Sequence, residues 1–230
     1  MSTPHVNGHV AFDTIPDAVE AFAQGNFILV MDSTSRENEG DLIIAASDLT
    51  PEKAAFMIRY SSGYICAPIT PSLAAKLELP QMVTQNSDPN RTAYTITIDA
   101  SEGVTTGISA HDRALTCRRL ADPKTQTKES FRRPGHIVPL QAREGGVRAR
   151  QGHTEAAVDF CKLAGKEPVA VIAEMVEDGE EVPGTAELRG QIGMMRRDGC
   201  LAFARRFGLK VVTIEDLVQY LNEHVGGMKG

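Results

Sequence analysis

Three carboxylates and a guanidinium group fall close together in residues 36–41, which read Arg-Glu-Asn-Glu-Gly-Asp. If this run is extended, Glu37, Glu39 and Asp41 project to the same side, and their like charges repel unless a cation joins them. Hard oxygen ligands on a turn suit Mg²⁺ or Mn²⁺. The spacing alone leaves a metal site and an ordinary solvated turn equally open.

A second polar run, residues 150–155, reads Arg-Gln-Gly-His-Thr-Glu and stands at the start of a predicted helix. The free N–H groups and the dipole of a helix start attract anions, and Arg150 could add a bidentate contact to a phosphate. A phosphorylated ligand is therefore one interpretation, and an ordinary helix start capped by Thr154 is the other. His153 is either a metal ligand or a structural histidine.

Two further residues are candidate proton carriers. Glu174 follows the apolar run 169–173, and the carboxyl ends of strands are where α/β proteins hold ligands. Partial desolvation there favours a general base over a surface carboxylate. His136 opens another predicted strand, where a core or edge histidine is the alternative.

The glycine-rich run 103–107 carries the hydroxyl groups of Thr105 and Thr106. These hydroxyls and the neighbouring amides could hold phosphate or sugar oxygens. The run lacks the Walker lysine and the dinucleotide glycine pattern, so a plain turn is the alternative.

Periodicity and capping residues predict the elements that must position these groups. Helices are expected over 16–24, 51–60, 109–121, 154–164 and 196–207, and after Thr213. Strands are expected over 27–31, 42–46, 64–67, 92–98, 136–140, 169–173 and 210–212, with polar segments at 32–41, 122–134 and 178–193. This alternation predicts a single-domain α/β layered fold over 15–224, in which a mixed sheet is flanked by helices, with tails at 1–14 and 225–230.

Composition narrows the class of protein. The chain has 230 residues, 42% of them hydrophobic, and a formal net charge of -6, which argues against a bulk nucleic-acid-binding surface. No leader pattern and no apolar run of membrane-spanning length is present, so a cytosolic protein is expected. The four cysteines have no metal-ligand spacing and are expected to be reduced packing residues, Cys66 being the least certain.

Five blocks, taken in order and spacing, resemble the 3,4-dihydroxy-2-butanone-4-phosphate synthases, in a fungal-like form. They are residues 36–42, 103–110, 112–113, 134–136 and 152–156, and the resemblance runs from about Ile15 to Leu221. It implies conversion of D-ribulose 5-phosphate to L-3,4-dihydroxy-2-butanone 4-phosphate and formate in riboflavin biosynthesis. The implied steps are enediol formation, dehydration, a skeletal shift and loss of C4 as formate.

The resemblance also implies residue roles. Glu37 and His153 would bind Mg²⁺ or Mn²⁺, with Glu39 as a ligand when two ions are present, while Glu174, His136 and Asp41 would move protons. The substrate would contact Arg36, Glu37, Asp41, Thr105, Thr106, Arg150, Gln151, Gly152, His153, Thr154 and Glu174. A homodimer with active sites near the subunit interface and a single activity are implied as well.

Two departures from the family pattern stand out. Residues 33–35 read Ser-Thr-Ser where many relatives carry acidic residues, which changes the local charge but not the matched ligands. The loop 180–195 is longer than in the bacterial pattern and is similar to the fungal one.

Two other functions remain open at this point. A metal-dependent sugar-phosphate isomerase would need the same carboxylates, histidine and phosphate site, and formate release separates it from the synthase. A non-catalytic domain that binds sugar phosphates would tolerate neutral residues at Glu174 and His136, so their presence counts against it.

Overall fold

A seven-stranded mixed sheet lies at the centre of the protein, whose computed structural model describes residues 12–225. Its strands are β1 (Ile28–Met31), β2 (Gly40–Ala45), β3 (Cys66–Ile69), β4 (Ile98–Ala100), β5 (Phe131–Gln141), β6 (Ala170–Glu174) and β9 (Lys210–Thr213). Across the sheet their order is β4-β5-β3-β6-β2-β1-β9. The β1–β9 and β3–β5 pairs are parallel and the other pairs are antiparallel, which confirms the predicted mixed sheet.

Helices cover both faces of this sheet. They are α1 (Ile15–Ala23), α2 (Pro51–Tyr60), α3 (Pro71–Lys76), α4 (Ala110–Ala121), α5 (His153–Leu163), α6 (Arg197–Phe207) and α7 (Ile214–His224). Successive strand residues point to opposite faces, so Leu29 joins the apolar layer under α2, α3, α4 and α6, while Ile28 and Val30 join the layer under α1, α5 and α7. Strands buried on both faces read as continuous apolar runs, and this is why the sequence locates the central ones.

The helix starts follow the predicted capping chemistry. The side chains of Thr50, Ser109 and Thr213 accept hydrogen bonds from backbone N–H groups three residues ahead, so each satisfies an otherwise free helical donor. Thr70 caps α3 in the same way, although the short helix α3 was not predicted. The α/β layered architecture is therefore confirmed together with most of its helix starts.

Four local predictions are wrong. The segment 92–98 is not a continuous strand: Tyr94 and Thr95 form isolated bridges, and a strand, β4, begins only at Ile98. The predicted loop 178–193 is instead an antiparallel hairpin of β7 (Val176–Glu181) and β8 (Leu188–Met194), whose mostly exposed residues give no apolar periodicity. The predicted loop 122–134 is shorter than expected, because β5 begins at Phe131. Asp41, which was predicted to lie in a turn, is part of strand β2.

The predicted domain boundaries remain predictions, since residues 1–11 and 226–230 lie outside the described part of the chain. Asp13 is nonetheless attached to the sheet: its N–H donates to Val211 O at 2.8 Å, and its carboxylate accepts from Val211 N and Lys210 Nζ. Within residues 12–225, every helix is too short or too polar to cross a bilayer.

Candidate active site

Two carboxylates face each other on the central strands. The antiparallel register of β2 and β6 sets Asp41 opposite Glu174, and side chains at such a pair lie close on one face. Glu174 is partly buried, as expected at its strand end, and its Oε2 accepts from Ser62 Oγ at 2.9 Å. Asp41 is only 2% exposed. Burial first, and the charge of Glu174 second, raise the pKa of Asp41 well above its ordinary value.

His153 begins α5 and lies against the same pair. Its Nε2 is 3.1 Å from Val30 O, and a carbonyl oxygen accepts only, so Nε2 carries the ring proton and Nδ1 keeps a free lone pair. Burial lowers the pKa of His153 to about 4, which leaves the ring neutral at pH 7. Nδ1 lies 3.4 Å from Asp41 Oδ1 without a hydrogen bond, and that buried oxygen has no partner among the described residues.

Asp32, which was not among the predicted site residues, shapes the acidic loop after β1. Its Oδ1 accepts from Glu39 N at 2.8 Å, and its Oδ2 accepts from Glu37 N at 3.0 Å and from Arg36 Nη1 at 2.9 Å. Asn38 has a left-handed backbone with φ 54°, so the loop is a turn and the predicted extended geometry is wrong. The three carboxylates converge all the same, because Asp32 turns both glutamates toward the cleft.

Glu37 is held from two sides. Its Oε2 accepts from Arg36 Nη1, and its Oε1 accepts from Asn90 Nδ2 at 2.6 Å. Asn90 belongs to a different segment, and its carbonyl oxygen also accepts from Arg150 Nε and Nη2, both at 3.2 Å. Asn90 therefore bridges the acidic loop and Arg150. Nearby, burial and the charge of Glu37 raise the pKa of Glu39.

Arg150 has little hydrogen-bonding capacity left for a ligand. Besides its contacts with Asn90, its Nη1 donates to Glu155 Oε2 at 2.6 Å and its Nη2 donates to Thr92 Oγ1 at 3.1 Å. Four of the five guanidinium N–H groups are thus engaged within the protein. The predicted bidentate contact of Arg150 with a phosphate would require at least one of these partners to move.

Three of these groups fit a divalent cation. Asp32, Glu37 and His153 each offer one ligand atom, and these atoms lie within 4.8 Å of one another. The free lone pair of His153 and the unpartnered Asp41 Oδ1 beside it suit a bound cation, since hard oxygen ligands with one imidazole bind Mg²⁺ or Mn²⁺. Glu39 lines the same cleft but lies outside this group of three, so its role as a ligand remains a prediction.

The structure brings together eight of the predicted residues. The cleft is lined by Arg36, Glu37, Glu39, Asp41, Arg150, His153, Thr154 and Glu174. Thr154 lies inside the first turn of α5 and Gly152 takes the cap position, so Thr154 is not the cap. Thr92 and Tyr94 also line the cleft and were missed, because the segment that carries them was interpreted as a regular strand.

The remaining predicted residues lie elsewhere. Gln151 lines an open depression beside α7, and Thr105 and Thr106 are exposed in the loop before α4. The Thr105 hydroxyl donates to Asp112 Oδ2 at 2.7 Å. His136 lies on β5, which β3 separates from β6, and it contacts Asp99 rather than the Asp41 pair. Their predicted roles stay predictions.

Comparison with known proteins gives one consistent family. The sequence model described as 3,4-dihydroxy-2-butanone 4-phosphate synthase matches residues 16–220. The protein of that name from Pyricularia oryzae is 59% identical over 219 residues, covering 95% of this chain and 93% of that one. Riboflavin biosynthesis protein RibBA of Salinispora arenicola is 50% identical over 91% of this chain and 47% of its own length.

Solved structures agree with the sequences. A crystal structure of 3,4-dihydroxy-2-butanone 4-phosphate synthase in complex with two magnesium ions matches with a TM-score of 0.91 and 59% identity, over 94% of this chain and 99% of that chain. A cation-free form of the enzyme matches with a TM-score of 0.87. The fold, the ordered sequence blocks and the carboxylate cleft therefore lead to one conclusion: the chain belongs to the 3,4-dihydroxy-2-butanone 4-phosphate synthase family.

Proposed function

We propose that the protein converts D-ribulose 5-phosphate to L-3,4-dihydroxy-2-butanone 4-phosphate and formate in riboflavin biosynthesis. The observation that carries this proposal is the opposed pair Asp41 and Glu174 beside a group of residues that fits a divalent cation. A reaction that moves protons between neighbouring carbons needs one group that takes a proton and another that holds one. The pair offers both at the same place.

The two carboxylates have different environments and hence different roles. Glu174 is partly exposed and fixed by Ser62, so it is placed to take a proton from a substrate carbon. Asp41 is buried, and burial together with the charge of Glu174 raises its pKa, so Asp41 is suited to give a proton to an adjacent carbon or to a departing hydroxyl group. The two side chains can thus take and return protons at neighbouring positions of the substrate.

Asp32, Glu37 and His153 are the residues that would hold the cation. A bound Mg²⁺ or Mn²⁺ would polarise vicinal substrate oxygens and stabilise negative charge that develops on them. His153 serves this role as the neutral ring, with Nε2 fixed on Val30 O and Nδ1 free. Two ions per site, with Glu39 as an added ligand, form part of the proposal, and the relative with two magnesium ions supports it.

The phosphate would lie at the start of α5. Thr154 in the first helical turn and Arg150 beside it both line the cleft, and the helix dipole favours an anion there. This assignment agrees with the predicted substrate contacts of Arg150, His153 and Thr154, whereas Gln151 lies outside the cleft. It leaves the opposed carboxylates free for the carbon skeleton.

We further propose that the active unit is a homodimer. His136, Thr105 and Thr106 match family blocks but do not line the cleft of their own chain. If they serve the same reaction, a second copy has to bring them to that cleft, and two-fold dimers are the commonest assembly. Exposed apolar side chains near them, such as Ile108 at 52% exposed, support a contact surface there.

The test is to incubate the purified protein with ribulose 5-phosphate and Mg²⁺ and to measure formate and the four-carbon phosphate. Equal amounts of both products are expected. A matched pair of variants locates the chemistry: Glu174→Gln should lose turnover, whereas Glu180→Gln, on the exposed hairpin, should not. A ketose or aldose isomer without formate would indicate an isomerase, and binding without any product would indicate a sugar-phosphate-binding domain.

A further inference from the structure

Asp99 is a buried carboxylate on β4, the edge strand of the main sheet, and it is 3% exposed. Its Oδ1 accepts from the backbone N–H of His136 at 2.9 Å, and its Oδ2 lies 2.8 Å from His136 Nδ1. Both oxygens of one buried aspartate therefore serve a single histidine. The sequence predicts a role for His136 but not for this partner.

A bulge in β5 makes this contact possible. Ile98 pairs with Ile137 while Asp99 pairs with Arg132, so residues 133–136 are extra on the β5 side and turn His136 toward β4. A side chain at Gly135 would place its Cβ 2.0 Å from the backbone carbon of Ile98, so the close approach of the two strands requires glycine there.

The glycine-rich loop before α4 covers the pair. Gly107 has φ +100°, and a Cβ on it would lie 2.0 Å from Asp99 Oδ2 and 2.6 Å from His136 Nδ1. Asp112 fastens this loop, because its Oδ2 accepts from Gly107 N at 3.1 Å and from Thr105 N at 2.9 Å. The loop thus lies directly against the Asp99 carboxylate and contributes to its burial.

The geometry points to Asp99 as a positioning residue that fixes the ring of His136 and keeps the proton on Nδ1, so that Nε2 faces outward as the proton acceptor. An ionised carboxylate only accepts hydrogen bonds, so Nδ1 must donate to Oδ2. The side chain of His136 is 39% exposed, which leaves Nε2 open to a substrate. When Nε2 takes a proton from a substrate carbon or hydroxyl, the ring becomes cationic and Asp99 stabilises it. The inference rests on the proposed function in one respect, namely that His136 moves a proton in the reaction.

The first measurement needs no variant. Nitrogen-15 NMR of the wild-type protein, with the His136 signals assigned by their loss in His136→Gln, reports which ring nitrogen carries the proton in the neutral ring. The Nδ1–H form is expected, which is the less common form in free histidine. A neutral His136 protonated on Nε2 would overturn the inference whatever the activity.

The second measurement uses Asp99→Asn. An amide has one acceptor and one donor end, so it cannot accept from both the backbone N–H and Nδ1 as the carboxylate does. The ring should change to the Nε2–H form, and kcat should fall about 100-fold, within the range for losing a general base, with KM little changed. Asp122→Asn is the matched control: Asp122 also accepts from a backbone N–H, that of Lys124 at 3.0 Å, but it is exposed and distant from the cleft, so its change should leave turnover and the ring proton unchanged.

The outcomes separate this inference from the proposed function. If His136→Gln loses turnover while a folded Asp99→Asn keeps both full turnover and the Nδ1–H ring, the positioning role of Asp99 is refuted and the function stands. If His136→Gln is fully active, the role of His136 fails, and the positioning role in catalysis fails with it. If the wild type releases no formate, the proposed function fails, while the NMR result still tests the Asp99–His136 geometry.

Discussion

Asp41→Asn removes an ionisable proton from a carboxylate that is 2% exposed while it keeps the side chain's size. The folded state raises the pKa of Asp41, so between the unfolded value of about 3.9 and the folded value the folded protein holds one more proton than the unfolded chain. The stability that Asp41 contributes is therefore complete below about pH 4 and is lost as the pH rises to the folded pKa. Over the pH range in which the folded protein binds one more proton than the unfolded chain, the free energy of unfolding falls by about 1.4 kcal/mol per pH unit.

The Asn variant has no carboxyl group to titrate at this position. Its free energy of unfolding, relative to that of the wild type, should therefore rise by about 1.4 kcal/mol per pH unit through that window and stay constant above it. Its amide can also donate to His153 Nδ1, which lies 3.4 Å from Asp41 Oδ1. The assay is urea unfolding at a series of pH values in EDTA, since a bound cation would offset the repulsion among the carboxylates. Turnover should fall about 10² to 10⁴-fold as a proton donor is lost.

Asp159→Asn is the matched control for this experiment. Asp159 is also buried, but its Oδ2 accepts from Val147 N at 2.9 Å and its Oδ1 accepts from Lys162 Nζ at 3.2 Å. Its removal should destabilise the protein by about 1–3 kcal/mol, because paired hydrogen-bonding groups lose their partner. A stability difference for Asp41→Asn that stays flat with pH, or that has the same sign as Asp159→Asn at neutral pH, would refute the reasoning.

Four other outcomes are expected. Glu174→Gln should lower formate production about 10² to 10⁴-fold with little change in the dissociation constant of ribulose 5-phosphate, and near-normal turnover would show another role. EDTA should abolish turnover and Mg²⁺ should restore it; full activity in metal-free protein would contradict the cation site. Cys66→Ser should keep most turnover, because burial raises the pKa of the Cys66 thiol well above its ordinary value and disfavours a thiolate nucleophile. A loss of turnover by several orders of magnitude in a folded variant would show that Cys66 has a catalytic role. Sedimentation should give about twice the mass of one chain, whereas a fully active monomer at micromolar concentration would exclude the dimer.

The sequence was sufficient for those parts of the fold that local chemistry controls. The caps at Thr50, Ser109 and Thr213 are single side chains that satisfy helical N–H groups nearby, so they can be recognised from a few residues. The central strands are buried on both faces and are visible as apolar runs. Pairing of Asp41 with Glu174 required the strand order, which no local pattern contains.

The residues that escaped prediction act across long stretches of chain or through the backbone. Asp32 directs its hydrogen bonds to main-chain N–H groups of the acidic loop, so neither its type nor its spacing distinguishes it. Asn90 reaches Glu37 across 53 residues, and Asp99 reaches His136 across 37. The hairpin of β7 and β8 is mostly exposed, so burial leaves no periodic record in its sequence.

The bridge made by Asn90 joins the acidic loop to Arg150 through two different groups. Its side-chain amide donates to Glu37 Oε1, and its backbone carbonyl accepts from Arg150 Nε and Nη2. One residue, distant from both in sequence, thereby sets the spacing between a candidate cation ligand and the guanidinium group. A ligand that contacts both Glu37 and Arg150 therefore meets them at a separation that the chain itself has already fixed.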